Sequence, residues 1–188
     1  MAAIQLPLTR RLYVDTLVEA DYPRYRALYT DPRVSLPTGV PMSIGEETVR
    51  LFFESALAYP VEQGRIAALR LNEDSGLYGV IRLTDWDKHA GVITLGYALS
   101  PQLWGEGLMK ACLENHLPSL FSGALGHPLH RIQAWVQVNN FRSRHLLEKL
   151  GFSHEGTLRG LFRNEQGYHD ICIYGQLASD VTKSFTNT

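Results

Sequence analysis

Cysteine is scarce in this 188-residue chain: only Cys112 and Cys172 occur, far apart, with no CxxC pair and no neighbouring His/Cys cluster. That excludes a zinc knuckle and a disulfide framework. Excess charge of either sign is also missing. Lys+Arg is 18 and Asp+Glu is 19, for a formal net charge of −1. Bulk attraction to nucleic acid or to anionic membranes is therefore not expected, although a local basic patch stays open. No apolar run approaches the ~18 residues of a membrane helix. Positions 1–7 (MAAIQLP) lack the basic stretch and apolar run of a secretory signal, so a reducing cytoplasm is the expected compartment. Internal repeats and low-complexity tracts are absent too. What remains is 45% apolar and 20% charged residues, the balance of one globular domain over 1–188. A chain of this size buries roughly 70% of its unfolded surface and needs no staples.

The first segment, Thr9 to Val14, reads as a strand. Asp21 to Thr30 reads as a helix with Pro in its first turn, where the missing N–H costs little. Positions 31–41, dense in Pro and Gly, read as a loop, and a long loop of this kind is a candidate substrate-facing segment. Ser43 and Glu46 form a capping-box pattern for a second helix carrying Val49, Phe52, Phe53 and Ala56. Strands are expected at 65–71, 77–83 and 92–99, with a turn at 72–76, as an antiparallel meander. A helix at 107–121, a strand at 131–138, a helix at 141–150 closed by Gly151, and strands at 152–158 and 169–177 follow. Crossovers of this kind are right-handed and join parallel strands. The fold class is therefore a mixed α/β (α+β) sheet, mostly antiparallel, with a parallel strand pair near its middle and flanking helices.

The most informative stretch is Ser100-Pro101-Gln102-Leu103-Trp104-Gly105-Glu106-Gly107-Leu108-Met109-Lys110. A strand ends, Pro101 breaks it, and two glycines lead into a helix. Without Cβ atoms, Gly105 and Gly107 let the backbone turn tightly and let a ligand lie against it. Successive N–H groups and the helix N-terminus make an anion nest suited to phosphate or pyrophosphate. A P-loop is ruled out because GxxxxGK[ST] is missing, and a Rossmann fingerprint because GxGxxG becomes GxGxxK. A plain strand-to-helix turn, with Gly there only for geometry, is the bland alternative.

Gln102-x-x-Gly105-x-Gly107 resembles the Q/R-x-x-G-x-G/A segment of the GNAT superfamily of N-acetyltransferases. Leu95-Gly96-Tyr97-Ala98-Leu99 and Trp104-Gly105-Glu106-Gly107 resemble its Rim-type branch, the ribosomal-protein N-terminal acetyltransferases. The second block of that branch is similar to Asn139-Asn140-Phe141-Arg142-Ser143, Leu150-Gly151-Phe152 and Glu155-Gly156-Thr157-Leu158-Arg159. Tyr168-His169-Asp170 and Tyr174 resemble its last strand. The resemblance implies acetyl-CoA as cosubstrate, with its pyrophosphate on the backbone of Gln102, Leu103, Trp104, Gly105, Glu106, Gly107, Leu108 and Met109. It also implies a splay between the strands ending at Leu99 and Val138, and a backbone amide around Leu99 polarising the thioester. Asn140 and Phe141 would flank the pantetheine arm, and Ser143 would lie near the sulfur. The Tyr that the family often places four residues before the closing Gly is here Leu147, so Ser143 or water is left to protonate the thiolate.

Ser143, Leu147 and Leu150 share one helix face, which turns Ser143 inward. Asn139 or Asn140 suits the N-cap of that helix. The base is open among Asp170, Glu155 and Tyr97, each with a bland alternative: an Arg partner, a surface position, a core aromatic. An α-amine with a pKa near 8 is roughly a tenth neutral at pH 7, whereas a lysine amine is neutral far less often. Lack of an obvious base therefore favours a protein N-terminal α-amine as acceptor, with a small-molecule amine as the other option. Transfer is direct, since neither Cys has a nucleophile's surroundings. No metal is expected, because the histidines show no ligand spacing. Arg142 or Arg144 is a candidate for the 3′-phosphate of CoA, within a basic stretch from Arg131 to Arg163. Rival readings are a non-catalytic acyl-CoA-binding module and an RNA-binding protein using that stretch. The chain is expected to be a monomer or homodimer.

Overall fold

The computed structural model describes residues 10–38, 45–164 and 166–184. Strands β1 (Leu12–Thr16), β2 (Arg65–Leu71), β3 (Asp74–Asp87) and β4 (Val92–Leu99) pair antiparallel in sequence order. After helix α4 (Leu108–Phe121) the chain crosses over to β5 (Arg131–Gln137), which lies parallel to β4. Helix α5 (Phe141–Lys149) then leads to the hairpin β6 (Ser153–Asn164) and β7 (Gly167–Leu177). β7 inserts beside β5, so the seven-stranded sheet runs β1-β2-β3-β4-β5-β7-β6. The expected mixed sheet with a parallel pair at its middle is what forms.

Alternation along the strands feeds two apolar layers. On one face Leu69, Ile81, Leu83, Ile93, Leu95 and Ile132 pack with Leu113 and Leu117 of α4. On the other, Ala68, Val80 and Ala98 pack against α1 (Tyr22–Thr30), α2 (Pro32–Thr38) and α3 (Glu46–Leu57) through Tyr25, Tyr29, Val34, Val49 and Phe53. A buried ion cluster ties the meander to the start of α1: Arg70 donates to Asp21 at 2.8 and 3.0 Å, to Asp15 at 2.6 Å, and to the carbonyls of Thr16 and Ser75. Helix α6 (Ala178–Ser184) follows β7.

Several boundaries differ from the sequence reading. The stretch expected to be a loop begins with α2. The carbonyl of Asp31 accepts the N–H groups of Val34 and Ser35, its carboxylate accepts that of Arg33, and Pro32 occupies the first turn. Pro32 is thus a helix starter with a capping Asp before it. The capping-box Ser43 lies outside the described residues, and Gly45 is the N-cap of α3. β1 runs Leu12–Thr16, with Arg10 and Arg11 outside it, and Thr9 lies outside the described residues. β3 begins at Asp74 inside the expected turn, with register shifts around Arg70 absorbing the mismatch. β6 extends to Asn164 because its hairpin with β7 closes later than the apolar pattern ends.

Candidate active site

β4 and β5 pair only at Val92, Ile93 and Thr94 with Arg131, Ile132 and Gln133. Beyond that point β4 stays bonded to β3, and β5 to β7, while the two part from each other. Ser100 N–H donates back to Tyr78 of β3. Strand alternation then turns the main-chain groups of Leu95, Tyr97 and Leu99 toward the gap. The Leu99 carbonyl is occupied by the indole N–H of Trp104 at 2.9 Å. The gap opens into a cavity of about 540 Å³, lined among others by Arg82, Thr94, Tyr97, Gln137, Asn140 and Ser143. A narrower cavity of about 120 Å³ shares Pro37, Thr38, Tyr97, Asn140 and Ser143 with it and continues to Trp104, Met109 and Arg142.

At the mouth of the narrower cavity stands the glycine turn. Pro101–Leu103 forms a short 3-10 turn with Leu103 buried. Gly105 and Gly107 take φ +86° and +74°, and Gly107 is the N-cap of α4. A Cβ at either position would meet nothing within 4 Å. The turn therefore leaves open space at both glycines beside the N-terminal amides of α4, a setting suited to an anion. Leu103 and Leu108 are core residues, so only their backbone is available to a ligand. Gln102 and Glu106 are exposed, and Glu106 accepts from Arg10 at 3.2 Å. Met109 lines the narrow cavity.

Inside the gap, the Tyr97 hydroxyl and Ser143 Oγ lie 2.8 Å apart. Burial holds the Tyr97 phenol well above its ordinary pKa, with the Ser143 bond opposing. At neutral pH it is an O–H group and not a base. Asn140 caps α5, its side-chain oxygen accepting the Ser143 N–H at 3.2 Å. Phe141, next to it, is largely exposed and lines neither cavity. Arg142 stacks over the Trp104 ring at 3.9 Å and lines the narrow cavity. Arg144 instead donates to the Tyr174 hydroxyl at 3.2 Å and to the Val138 carbonyl at 3.0 Å.

The two carboxylates considered as bases are not brought to this gap. Glu155 accepts from Arg131 at 2.7 Å, and that bond holds its carboxyl below the usual range. Asp170 accepts the Gly160 N–H at 2.8 Å in the β6–β7 hairpin and lines a separate hollow with Val138 and Tyr168. Among the described residues no carboxylate lines either cavity. Both cysteines are buried outside them, and burial pushes the Cys112 thiol up to about 11. No group of three or more potential metal ligands occurs among the described residues, and no helix among them is long and apolar enough to cross a membrane. The site also uses residues that the sequence did not single out: Arg82, Tyr29, Thr38 and Gln137. A charge in mid-strand between buried Ile81 and Leu83 was the available signal for Arg82.

A glycine-kinked turn at the start of α4, beside a gap between two parting parallel strands, defines the class: an N-acetyltransferase fold. The chain belongs to the GNAT acetyltransferase family, matching the "Acetyltransferase (GNAT) domain" over residues 11–153. It is 30% identical over 105 residues to a Bacillus subtilis protein named "Putative ribosomal N-acetyltransferase YdaF", covering 55% of each chain. The chain thus spans about half the length of that relative. It is 26% identical to the "Uncharacterized N-acetyltransferase YoaA" of the same organism over 167 residues, 88% of this chain and 93% of that one. Among solved structures it resembles the spermidine N-acetyltransferase of Vibrio cholerae in complex with CoA and spermine. There the TM-score is 0.74 at 18% identity, over 92% of this chain and 98% of that one, a likeness of fold.

Proposed function

We propose that this protein is an acetyl-CoA-dependent N-acetyltransferase that passes the acetyl group directly to a primary amine, with the α-amine of a protein N-terminus as acceptor. One observation carries the reading: past Thr94 and Gln133 the strands part, and the Tyr97–Ser143 hydroxyl pair lines both the larger cavity and the narrower one that reaches Trp104 and Met109, the residues flanking the glycine turn.

The cradle at Gly105–Met109 holds the pyrophosphate. The pantetheine arm lies in the narrow cavity beside Asn140, with Arg142 near the 3′-phosphate end. Main-chain N–H groups of β4 turned into the gap, at Leu99 or Tyr97, meet the thioester oxygen as it gains charge. The neutral amine enters from the larger cavity and attacks the carbonyl carbon, and the C–S bond breaks to leave CoA thiolate. Ser143 donates its proton to the sulfur and takes one from Tyr97, which regains a proton from solvent water. Burial keeps the Tyr97 hydroxyl protonated at rest. The amine's surplus proton leaves through water, because no carboxylate among the described residues lines the cavity. That arrangement suits an amine already partly neutral at pH 7, which an α-amine is and a lysine is not.

The test is release of free CoA thiol from acetyl-CoA with a panel of peptides bearing free N-termini, the same peptides blocked at the N-terminus, and small amines. Turnover with the free peptides alone supports the reading. Binding of acetyl-CoA without turnover on any acceptor supports a non-catalytic acyl-CoA-binding module instead.

A further inference from the structure

Among the described residues, the charge lining the acceptor cavity is of one sign. Arg82 is the charged residue among those lining the larger cavity, and Arg33 and Arg142 are the charged residues lining the narrower one. Arg33 is held by Asp31 at 2.6 Å, and Arg142 lies on Trp104. Arg82 forms no ion pair among the described residues. Its neighbours are phenols: Tyr29 and Tyr25 feel its charge, and burial keeps both protonated at neutral pH.

Its position is fixed by the sheet. Arg82 pairs across β3–β4 with Gly96, and a Cβ on Gly96 would stand 3.7 Å from the Arg82 Cβ and 4.0 Å from its Cδ. The bare glycine leaves the surface over which the arginine stem runs, beside the gap and next in sequence to Tyr97. The other polar groups on the cavity wall are uncharged: Thr38, Thr84, Thr94, Gln137 and Asn140. Among the described lining residues a polycationic acceptor would meet one cation and no carboxylate.

We propose that Arg82 selects the acceptor: a primary amine that carries a carboxylate or phosphate group close to the amine, so that the anion sits on the Arg82 guanidinium while the nitrogen faces the thioester. This rests on the acetyl-transfer reading and names its substrate class. Two sources share the chemistry, a free amino acid or phosphoamine and a peptide N-terminus with an acidic residue in its first positions. The guanidinium acts twice. It supplies a charge-assisted bond to the anion, and as a like charge it disfavours the ammonium form of an amine brought beside it. That second effect fits a cavity with no carboxylate among its described lining residues.

The experiment pairs turnover with binding. CoA release is measured with L-glutamate, O-phosphoethanolamine, a peptide starting Ser-Glu, a matched peptide starting Ser-Gln, ethanolamine and spermidine. Titration calorimetry follows binding of the same compounds to the protein–CoA complex. The expected result is a kcat/KM at least tenfold higher for anionic amines than for their neutral matches. Arg82→Gln should abolish that preference through KM while keeping the melting temperature, and Arg82→Glu should invert it toward spermidine. Preference for the peptide pair alone identifies an N-terminus as the source, and preference for the small compounds alone identifies a free metabolite. Anionic amines that bind through Arg82 without turnover uphold the selection and refute acetyl transfer. Turnover with equal or greater preference for neutral amines or spermidine refutes the selection and leaves acetyl transfer standing. Absence of both binding and turnover for the anionic amines also overturns the selection.

Discussion

Replacing Gly107 separates the cradle's role in ligand binding from its role in the fold. Gly107 sits at φ +74° and ψ 1° as the N-cap of α4, and an added Cβ would touch nothing within 4 Å. Gly107→Ala therefore brings no clash within the protein. Its cost to the fold is the left-handed backbone strain of a non-glycine residue, about 1–2 kcal/mol. In a domain of this size that lowers the melting temperature by roughly 2–8 °C. Gly126, at φ +98° with the same open surroundings and lining neither cavity, is the control. Gly126→Ala should cost at least as much stability and leave CoA affinity unchanged. In Gly107→Ala the methyl group stands where the pyrophosphate approaches the amides. Loss of one charge-assisted hydrogen bond is worth about 1.5–3 kcal/mol, so CoA affinity should fall roughly 10- to 100-fold. Gly107→Trp should abolish measurable binding with little further loss of stability. Calorimetric titration with CoA beside thermal melts reads both quantities. Unchanged affinity in Gly107→Trp, or an equal loss in Gly126→Ala, would refute the assignment of the cradle.

Ser143→Ala should lower kcat about tenfold or more with little change in the acetyl-CoA dissociation constant, as expected for a lost proton donor. Tyr97→Phe should act in the same direction, and the double variant should be no slower than Ser143→Ala alone; full additivity would separate the two hydroxyls. Arg70→Ala leaves the buried Asp21 without its cation and should cost about 3–5 kcal/mol in urea unfolding; a loss under 1 kcal/mol would show that the cluster is not anchoring β2 to α1. Asp74 accepts from Tyr78, Gly76 and Arg24, which lower its carboxyl from 3.8 to about 2. Its contribution is complete above the unfolded pKa and is lost as pH falls from about 4 toward 2. Asp74→Asn should flatten the urea midpoint across that window, and an unchanged slope would contradict the assignment.

The legible parts of the sequence were those where one local rule decides. Val92–Leu99, Leu108–Phe121 and Phe141–Lys149 follow from hydrophobic period and from the glycines beside them. The Gly105–Gly107 turn was readable because only a Cβ-free residue sits easily at those φ values. Helix geometry turns Ser143 inward and offers Asn139 or Asn140 as the cap, of which the structure uses Asn140. What stayed hidden depends on pairing across the chain. Glu155 looked available until β6 placed it beside Arg131 of β5. The contact of the buried Tyr97 hydroxyl with Ser143 is disclosed by neither strand nor helix alone. β6 was cut short because as an edge strand it is exposed along most of its length and lacks an apolar face. Arg82 gains meaning only from its cross-strand glycine and the splay next to it.

A crystal structure with bound CoA probes the core of this mechanism most directly. The pyrophosphate should rest on the backbone amides between Gly105 and Met109, with the pantetheine arm between β4 and β5 and the sulfur within hydrogen-bond reach of Ser143. CoA bound elsewhere, or a thiol on the far side of the sheet from the Tyr97–Ser143 pair, would contradict it.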